Sequence, residues 1–438
     1  MIVNFSIQNF RSIKEKILLS FEATKSDDLE SYYINEIQGK KKFRLLKLGL
    51  IYGANASGKT TILEALDFLR DMVLEPFEKK TKTFDFKPFL FDENTPNENT
   101  IFNIEFIQNK IKYLYEVEFN EKSICKEKLN YFNPNKANIF ERETDTEKQL
   151  TKIKFGSKIS ISQKYKTALE ANTLWNNTVL SGYLKTNFES FELQEVINWF
   201  SEKLNPIINP DSSLFPFISE NIENKKIDKK NIINLLKKAD FNISDISIDK
   251  KEEKIDTEFF NLISKALNFT NEKINKIKKT GTFESREITF HHSFGNETQY
   301  PLNYEDESAG TQRYYQIAGL LDLMIRNESI FSIDEIESSL HPDLIKHFLL
   351  SFLVNAKNSQ LIATTHHREL LMEKDIIRND AIWFTEKKDN GSTDLFSLAD
   401  FNSSVIRNTS SVYNAYKIGK LGANPNLKDY FIDLENEK

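Results

Sequence analysis

Four short runs of this chain carry residue types that do chemistry together. Gly53-Ala54-Asn55-Ala56-Ser57-Gly58-Lys59-Thr60, continued by Thr61, matches the phosphate-loop pattern in full. Its glycines let the backbone curl so that N–H groups converge on phosphate oxygens. Lys59 is placed to reach β- and γ-phosphates, and the Thr60 hydroxyl is a ligand for Mg²⁺. Glycine is scarce, 13 in 438 residues, so glycines at this spacing stand out as a motif. The second run, Ile330-Phe331-Ser332-Ile333-Asp334-Glu335, is an apolar strand ending in two adjacent carboxylates. Asp334 can complete a Mg²⁺ shell, which leaves Glu335 to orient and polarise a water for attack on a γ-phosphate. The third, Glu307-Ser308-Ala309-Gly310-Thr311-Gln312-Arg313, puts small residues just before a helix, where N–H groups and a hydroxyl meet anions. Read alone it is an ordinary helix cap by Ser308. The fourth, Thr364-Thr365-His366, ends a buried strand; His366 there is structural by default, or a γ-phosphate partner if it lies one strand beyond Asp334-Glu335.

The elements around these runs supply the context a nucleotide site needs. Leu45 to Tyr52 is a short apolar run, and Thr60 to Val73 has apolar residues at helical spacing, so strand, glycine loop and helix follow in order. Ile2 to Phe10 alternates as a strand. From Thr100 to Phe132 the period is two, with a turn at Asn109, which predicts antiparallel hairpins. The segment from about Ser162 to Leu267 reads as mainly helical. Strand character resumes at Glu287, and a helix is expected over Thr311–Arg326, a buried strand over Ser329–Ile333 and a helix over Leu344–Val354. A further strand follows at Gln360–Thr364, and a final hairpin pairs Ala381–Thr385 with Leu395–Leu398 across Asn390-Gly391. Apolar strands alternating with helices predict an α/β fold with a largely parallel sheet, interrupted by an insertion.

Composition narrows the function classes. The net charge is -6, from 59 basic and 65 acidic residues, so global charge gives no support to nucleic-acid binding and leaves only a local patch. Cys125 is the single cysteine, which excludes an intramolecular disulfide and fits a reducing cytoplasm. Met1 to Phe10 lacks the features of a signal peptide, and no apolar run approaches a membrane span. The histidines have no metal-type spacing with acidic or Cys partners, so no zinc site is expected.

The four runs, in this order, resemble the ATPase heads of the ABC superfamily, and the SMC and DNA-repair branch more than transporters. Asn9-Phe10-Arg11-Ser12 after an N-terminal strand looks like the start of SMC-type heads, where the arginine approaches the nucleotide. Ser308, Gly310 and Gln312 match the family signature, while Ala309 and Thr311 depart from its commonest form. Ile336-Glu337-Ser338-Ser339-Leu340-His341-Pro342 is similar to the D-loop at the dimer interface. The resemblance implies an ABC-type head, a mixed sheet with the phosphate loop plus an antiparallel β lobe, built from residues 1–140 and 285–438 around a mainly helical insertion at 141–284. It implies ATP and Mg²⁺ as cofactors. Arg11, Gly53, Asn55, Ala56, Ser57, Gly58, Lys59, Thr60 and Thr61 would bind nucleotide, with Thr60 and Asp334 on the metal and Glu335 and His366 in catalysis. Ser308, Gly310 and Gln312 would act in trans from a second copy. No Q-loop glutamine is assigned, Gln108 falling in a hairpin turn.

Within the superfamily the run from Asp334 to Pro342, with Leu361 to His366, looks like compact bacterial ATPases of the AAA or abortive-infection group, similar to OLD-family ATPase domains and the ATPase subunits of the PARIS, Septu and AbiL anti-phage systems. The resemblance implies a cytoplasmic homodimer or higher oligomer that controls a separate effector, a nuclease or toxin. About seventy residues follow His366, too few for the Toprim nuclease domain of OLD proteins. Glu252-Glu253-Lys254 resembles a nuclease Glu-x-Lys only as any Lys/Glu-rich segment would. Two other functions remain in view: a DNA-repair or chromosome-maintenance ATPase acting on DNA, and a nucleotide-gated scaffold with slow turnover.

Overall fold

The computed structural model describes residues 1–39, 42–254, 282–294, 298–401 and 411–423. It contains two compact units. The first comprises Met1–Asp211, Met324–Ser338 and Leu349–Lys438, and the second Ser212–Leu323 and Ser339–Phe348.

The nucleotide-loop strand β5 (Leu48–Gly53) is buried at every position, as expected for a strand covered on both faces. It is the middle strand of a five-stranded sheet with β14 (Ile330–Ile333), β15 (Gln360–Thr365), β16 (Ile382–Lys387) and β17 (Thr393–Ser397), in the order β14-β15-β5-β16-β17. The first four run parallel and β17 closes the edge as an antiparallel hairpin partner of β16. Gly391, with φ +80°, supplies the left-handed turn residue between them. The carboxyl ends of β5, β14 and β15 therefore lie side by side, where open α/β sheets bind ligands.

Helix α2 (Lys59–Leu74) follows the loop directly; the short α1 (Glu30–Tyr33) lies earlier in the chain. It buries Ile62, Leu63, Ala65, Leu66, Leu69, Met72 and Val73, an i, i+3, i+4 stripe. Its Phe68 enters an aromatic cluster with Phe10, Phe84, Phe86, Phe102 and Phe119, with ring centroids 5.4–6.4 Å from Phe68. Each such pair is worth about 0.5–1.5 kcal/mol beyond area burial. The cluster joins the helix to a seven-stranded antiparallel sheet, order β10-β9-β8-β7-β6-β1-β2. Its strands are β1 (Ile2–Gln8), β2 (Ile17–Ser20), β6 (Thr100–Gln108), β7 (Ile111–Phe119), β8 (Ile124–Phe132), β9 (Lys136–Asp145) and β10 (Leu150–Phe155). A two-stranded ribbon pairs β3 (Ile34–Gln38) with β4 (Lys42–Leu46) in the same unit. The α/β class and the hairpins predicted around Asn109 are both present.

The segment 141–284 is not uniformly helical. Residues up to Asp211 belong to the first unit, where β9 and β10 extend the antiparallel sheet and α3 (Gln163–Asn172), α4 (Val179–Leu184) and α5 (Phe191–Asn198) follow. The second unit has α6 (Phe215–Glu223) and α7 (Lys229–Lys238). It also has a three-stranded sheet of β11 (Ile243–Lys254), β12 (Thr282–His292) and β13 (Tyr300–Asn303). β11 corrects the helical expectation. Its Lys/Glu-rich tail has helix-forming composition, but Ile243 and Ile246 are buried and the strand pairs along β12, so tertiary pairing wins over propensity. The rest of that expectation, residues 255–267, lies outside the described residues. Glu252-Glu253-Lys254 ends β11.

Helix α8 (Ala309–Arg326) has all but its last three residues in the second unit, and α9 (Pro342–Asn355) follows β14. Gly319 of α8 is needed for packing, since a Cβ there would sit 2.6 Å from Ile218 Cδ1. Buried Asp322 accepts from Asp228 N at 2.8 Å and Asn231 Nδ2 at 2.6 Å, which ties α8 to the start of α7.

Candidate functional site

The phosphate loop is shaped by two left-handed residues, Ala56 (φ 60°) and Gly58 (φ 100°). Gly58 is required twice over. Its φ disfavours any side chain, and a Cβ would lie 2.2 Å from Thr393 Oγ1. Thr393 Oγ1 is 2.9 Å from both the Ser57 carbonyl and Ser12 Oγ, and Ser12 Oγ is 3.3 Å from Thr61 Oγ1. Ser57 Oγ meets Thr385 Oγ1 at 2.6 Å. Strands β16 and β17 thus fix the loop from one side, and the turn after β1 fixes it from another. Asn55 and Ala56 are exposed at the loop's tip.

Lys59 is buried and its Nζ donates to the carbonyls of Gly53 at 3.0 Å and Ala54 at 3.1 Å, so the ammonium is folded into the loop. Burial pushes its pKa down, while Asp334, Glu335 and Glu337 pull it up. The Thr60 hydroxyl donates to Asp334 Oδ2 at 2.9 Å. The Thr364 hydroxyl donates to Asp334 Oδ1 at 2.5 Å and accepts from Glu335 N–H at 2.8 Å. One threonine therefore orients both carboxylate residues. Ile336 N donates to Thr364 O at 3.1 Å, so the turn after β14 is pinned to β15.

Glu335 adopts φ 45°, a left-handed conformation that costs a residue with a Cβ roughly 1–2 kcal/mol and persists only where surroundings dictate it. Its side chain is about half exposed, and His366 Nε2 lies 4.0 Å from Glu335 Oε1. Burial lowers the His366 pKa first, and the Lys59 charge lowers it further, against the three neighbouring carboxylates. Its ring is thereby biased to the neutral form near neutral pH. The His366 N–H is held by Glu337 Oε1. Lys59, Thr60, Asp334, Glu335 and His366 are all in the first unit and share charge interactions or direct contacts.

Arg11 sits at φ 49° with its guanidinium paired to Glu64 of α2 and over the Phe10 ring at 5.5 Å. It lies beside the residue that contacts Thr61 rather than in the loop itself. Ser308, Gly310 and Gln312 belong to the second unit. Ser308 Oγ accepts from Thr311 N at 3.1 Å, and Thr311 Oγ1 is 2.8 Å away, so this serine caps α8. Gln312 Nε2 donates to the carbonyls of Tyr304 at 2.8 Å and Glu307 at 3.1 Å. His292 Nε2 meets Glu307 Oε1 at 2.5 Å. Gly310 lies under the D-loop-like turn, where a Cβ would come 3.4 Å from Ser339 O.

Sequence reasoning missed Thr385 and Thr393, which are ordinary strand residues without a local signal, and it quoted Ser12 within the Asn9–Ser12 run without giving it a place at the loop. It also missed Leu204–Ile208, which runs parallel to β14 through bridges Leu204–Ile330 and Ile208–Ile333 and accepts Asp334 N at Ile208 O, 2.9 Å. Pro206 within that stretch and Pro210 just after it hid its strand character.

A glycine loop between a buried strand and a helix, with an Asp-Glu pair two strands away and a histidine just past the end of the strand between, defines an ATPase head of the ABC/SMC kind. The chain belongs to the family described as "AAA domain, putative AbiEii toxin, Type IV TA system", whose model matches residues 50–373. No curated protein matches it. Similar solved structures include the SMC head domain from Thermotoga maritima, with 13% identity and TM-score 0.40 over 90% of this chain and 98% of that one. Another is an SmcHead bound to the C-winged helix domain of ScpA, with 13% identity and TM-score 0.42 over 90% and 97%. A third is an Smc head with an extended coiled coil bound to the C-terminal domain of ScpA derived from Pyrococcus furiosus, with 14% identity and TM-score 0.37 over 96% and 98%. No helix among the described residues is long and apolar enough to cross a membrane.

Proposed function

We propose that this chain binds ATP with Mg²⁺ and hydrolyses it at a site completed by a second copy, and that it is the regulatory ATPase of an anti-phage system controlling a separate effector. The observation that carries the ATPase reading is the convergence of Lys59, Thr60, Asp334, Glu335 and His366 at the carboxyl ends of three adjacent strands. The donor set fits a hard cation. A hydroxyl and a carboxylate are 2.9 Å apart, beside an ammonium held at the loop by the Gly53 and Ala54 carbonyls.

Lys59, the loop N–H groups from Gly53 to Thr61 and the start of α2 bind the phosphates. Thr60 and Asp334 would hold Mg²⁺, which would neutralise phosphate charge. Glu335 orients a water and takes up its proton, and neutral His366 donates a hydrogen bond to the γ-phosphate. Arg11 closes the site near Thr61. Ser308, Gly310 and Gln312 meet the γ-phosphate held by the other copy. The defence role is supported by the family description, which names a toxin–antitoxin system.

Glu335→Gln keeps shape but removes the base. ATP should bind and persist, and an ATP-dependent dimer or larger oligomer should accumulate in light scattering with ATP and Mg²⁺. Hydrolysis at the parental rate removes Glu335 from its role. Phage plating on cells carrying the chain and its adjacent gene tests the defence role. Protection that survives Lys59→Ala contradicts it.

A further inference from the structure

Asp334 follows β14, the end strand of the parallel sheet, and an end strand has an edge to secure. The outer edge of β14 is held by the Leu204–Ile208 stretch. Asn205 N donates to Ile330 O at 3.0 Å, Ile208 N to Ser332 O at 2.9 Å, and Asp334 N to Ile208 O at 2.9 Å. That stretch forms only two isolated bridges, so it has little sheet of its own to stiffen it. Helix α2 supplies what the sheet does not. Arg70 Nε donates to Leu204 O at 2.9 Å, and Asp67 Oδ1 accepts from Ile207 N at 3.1 Å. The first turn of the same helix meets Asp334 directly, through Thr60 Oγ1. One rigid helix thus touches Asp334 twice, once at its side chain and once through the main chain that holds its N–H.

We infer that Asp67 and Arg70 are positioning residues that set the place of Asp334 against Thr60 and so the geometry of the cation site. This rests on the proposed role of Thr60 and Asp334 as metal ligands. Mg²⁺ demands near-ideal octahedral geometry, so a small drift of one ligand is costly. The Asp67 carboxyl is kept at its post at a cost, because burial raises its pKa and only the Ile207 N–H and Arg70 offset that. The Ile207 N–H, at 3.1 Å from Asp67 Oδ1, is the partner this carboxyl serves.

The test uses the full chain with Asp67→Leu, Asp67→Asn and Arg70→Met. Three readouts are taken: Mg²⁺-free ATP affinity, Mn²⁺ affinity by EPR with a non-hydrolysable ATP analogue, and hydrogen exchange of the peptide carrying Ile330–Glu335 without nucleotide. Asp67→Leu leaves Ile207 N–H unpaired. It should weaken Mn²⁺ binding on the order of tenfold and speed exchange at Ile330–Glu335, with Mg²⁺-free ATP affinity kept. Asp67→Asn retains an acceptor oxygen and should recover most of the loss. Arg70→Met should move the same readouts in the same direction by less. Parental Mn²⁺ affinity and exchange in Asp67→Leu overturn the inference, as does an Asn variant as damaged as the Leu variant. Should Asp67→Leu not fold by circular dichroism, Arg70→Met decides on the same readouts. Loss of ATP binding in the parental chain would instead overturn the ATPase reading.

Discussion

The phosphate-loop end of the first unit and the Ser308 turn of the second are held in opposite ways. At the former, Lys59 bonds within its own loop, but the other side chains are tied to residues far away in sequence: Thr60 to Asp334 across 274 residues, Ser57 to Thr385 across 328, Ser12 to Thr393 across 381. At the latter, the ties are local: Ser308 to Thr311 across three residues, Gln312 to Glu307 across five and to Tyr304 across eight, His292 to Glu307 across 15. Remote ties exist only when the sheet has formed, so they deliver a site already organised before a ligand arrives. Local ties survive without the rest of the fold and leave a turn that is shaped by itself. On the proposed reading the difference matches the tasks. The first end must place charges to within fractions of an ångström, while the second must present a cap to another molecule.

Breaking a remote tie should therefore cost more than breaking a local one. Thr364→Val removes the hydroxyl shared by Asp334 Oδ1 and Glu335 N and orphans both. Turnover should fall by roughly tenfold to a hundredfold with ATP affinity nearly kept, as steady-state kinetics and a binding titration would read. Parental turnover in a folded Thr364→Val protein would mean the remote ties organise nothing. Gln312→Leu deletes the two local bonds to Tyr304 O and Glu307 O. ATP binding should be untouched, and ATP-dependent association, measured on the Glu335→Gln background, should weaken by roughly threefold to tenfold. A loss of ATP binding in Gln312→Leu would erase the contrast between the two regions.

The smallest effect sharpens the account of α2. Burial first, then Asp67 and Glu75, raise Asp71 from 3.8 to about 6. A carboxyl whose folded pKa exceeds its unfolded value binds more protons when folded, so its contribution to stability declines as pH rises from about 4 to about 6. Above that window ionised Asp71 is a burden, although its half-exposed side chain and the Arg70 ion pair at 3.0 Å keep the burden small. Asp71→Asn should raise Tm slightly at pH 7 and leave it unchanged at pH 4, read by differential scanning calorimetry. A lower Tm at pH 7 would show the Arg70 pair outweighs the burial.

The same contrast explains what could be read from sequence. Residues 53–60, the Ile330–Glu335 strand end and the cap at Ser308 announce themselves because residue types at fixed spacing encode a local shape. Their strands and helices lie within a few residues of expectation: β5, α2, α8, α9, β15 and the closing β16–β17 hairpin. Nothing local distinguishes Thr385 or Thr393 from any strand threonine, since their partner is a loop more than 300 residues earlier. The Leu204–Ile208 stretch, with Pro206 inside it and Pro210 just after, is held in place by side chains of α2 and the edge of β14, neither visible in its own residues. β11 was masked by Lys and Glu, which suit a helix until β12 is there to pair with.

The central claim is that one copy's phosphate loop works with another copy's Ser308 turn, and mixing two crippled chains tests it most directly. Lys59→Ala destroys its own loop but keeps its Ser308 turn. Ser308→Arg blocks its own turn by bulk and charge but keeps its loop. Each alone should be inactive. Mixed, a loop from the Ser308→Arg chain faces an intact turn from the Lys59→Ala chain, so ATP hydrolysis should reappear and rise with the fraction of mixed pairs. A mixture as inactive as its components, with both chains folded and shown to associate, would contradict the shared site.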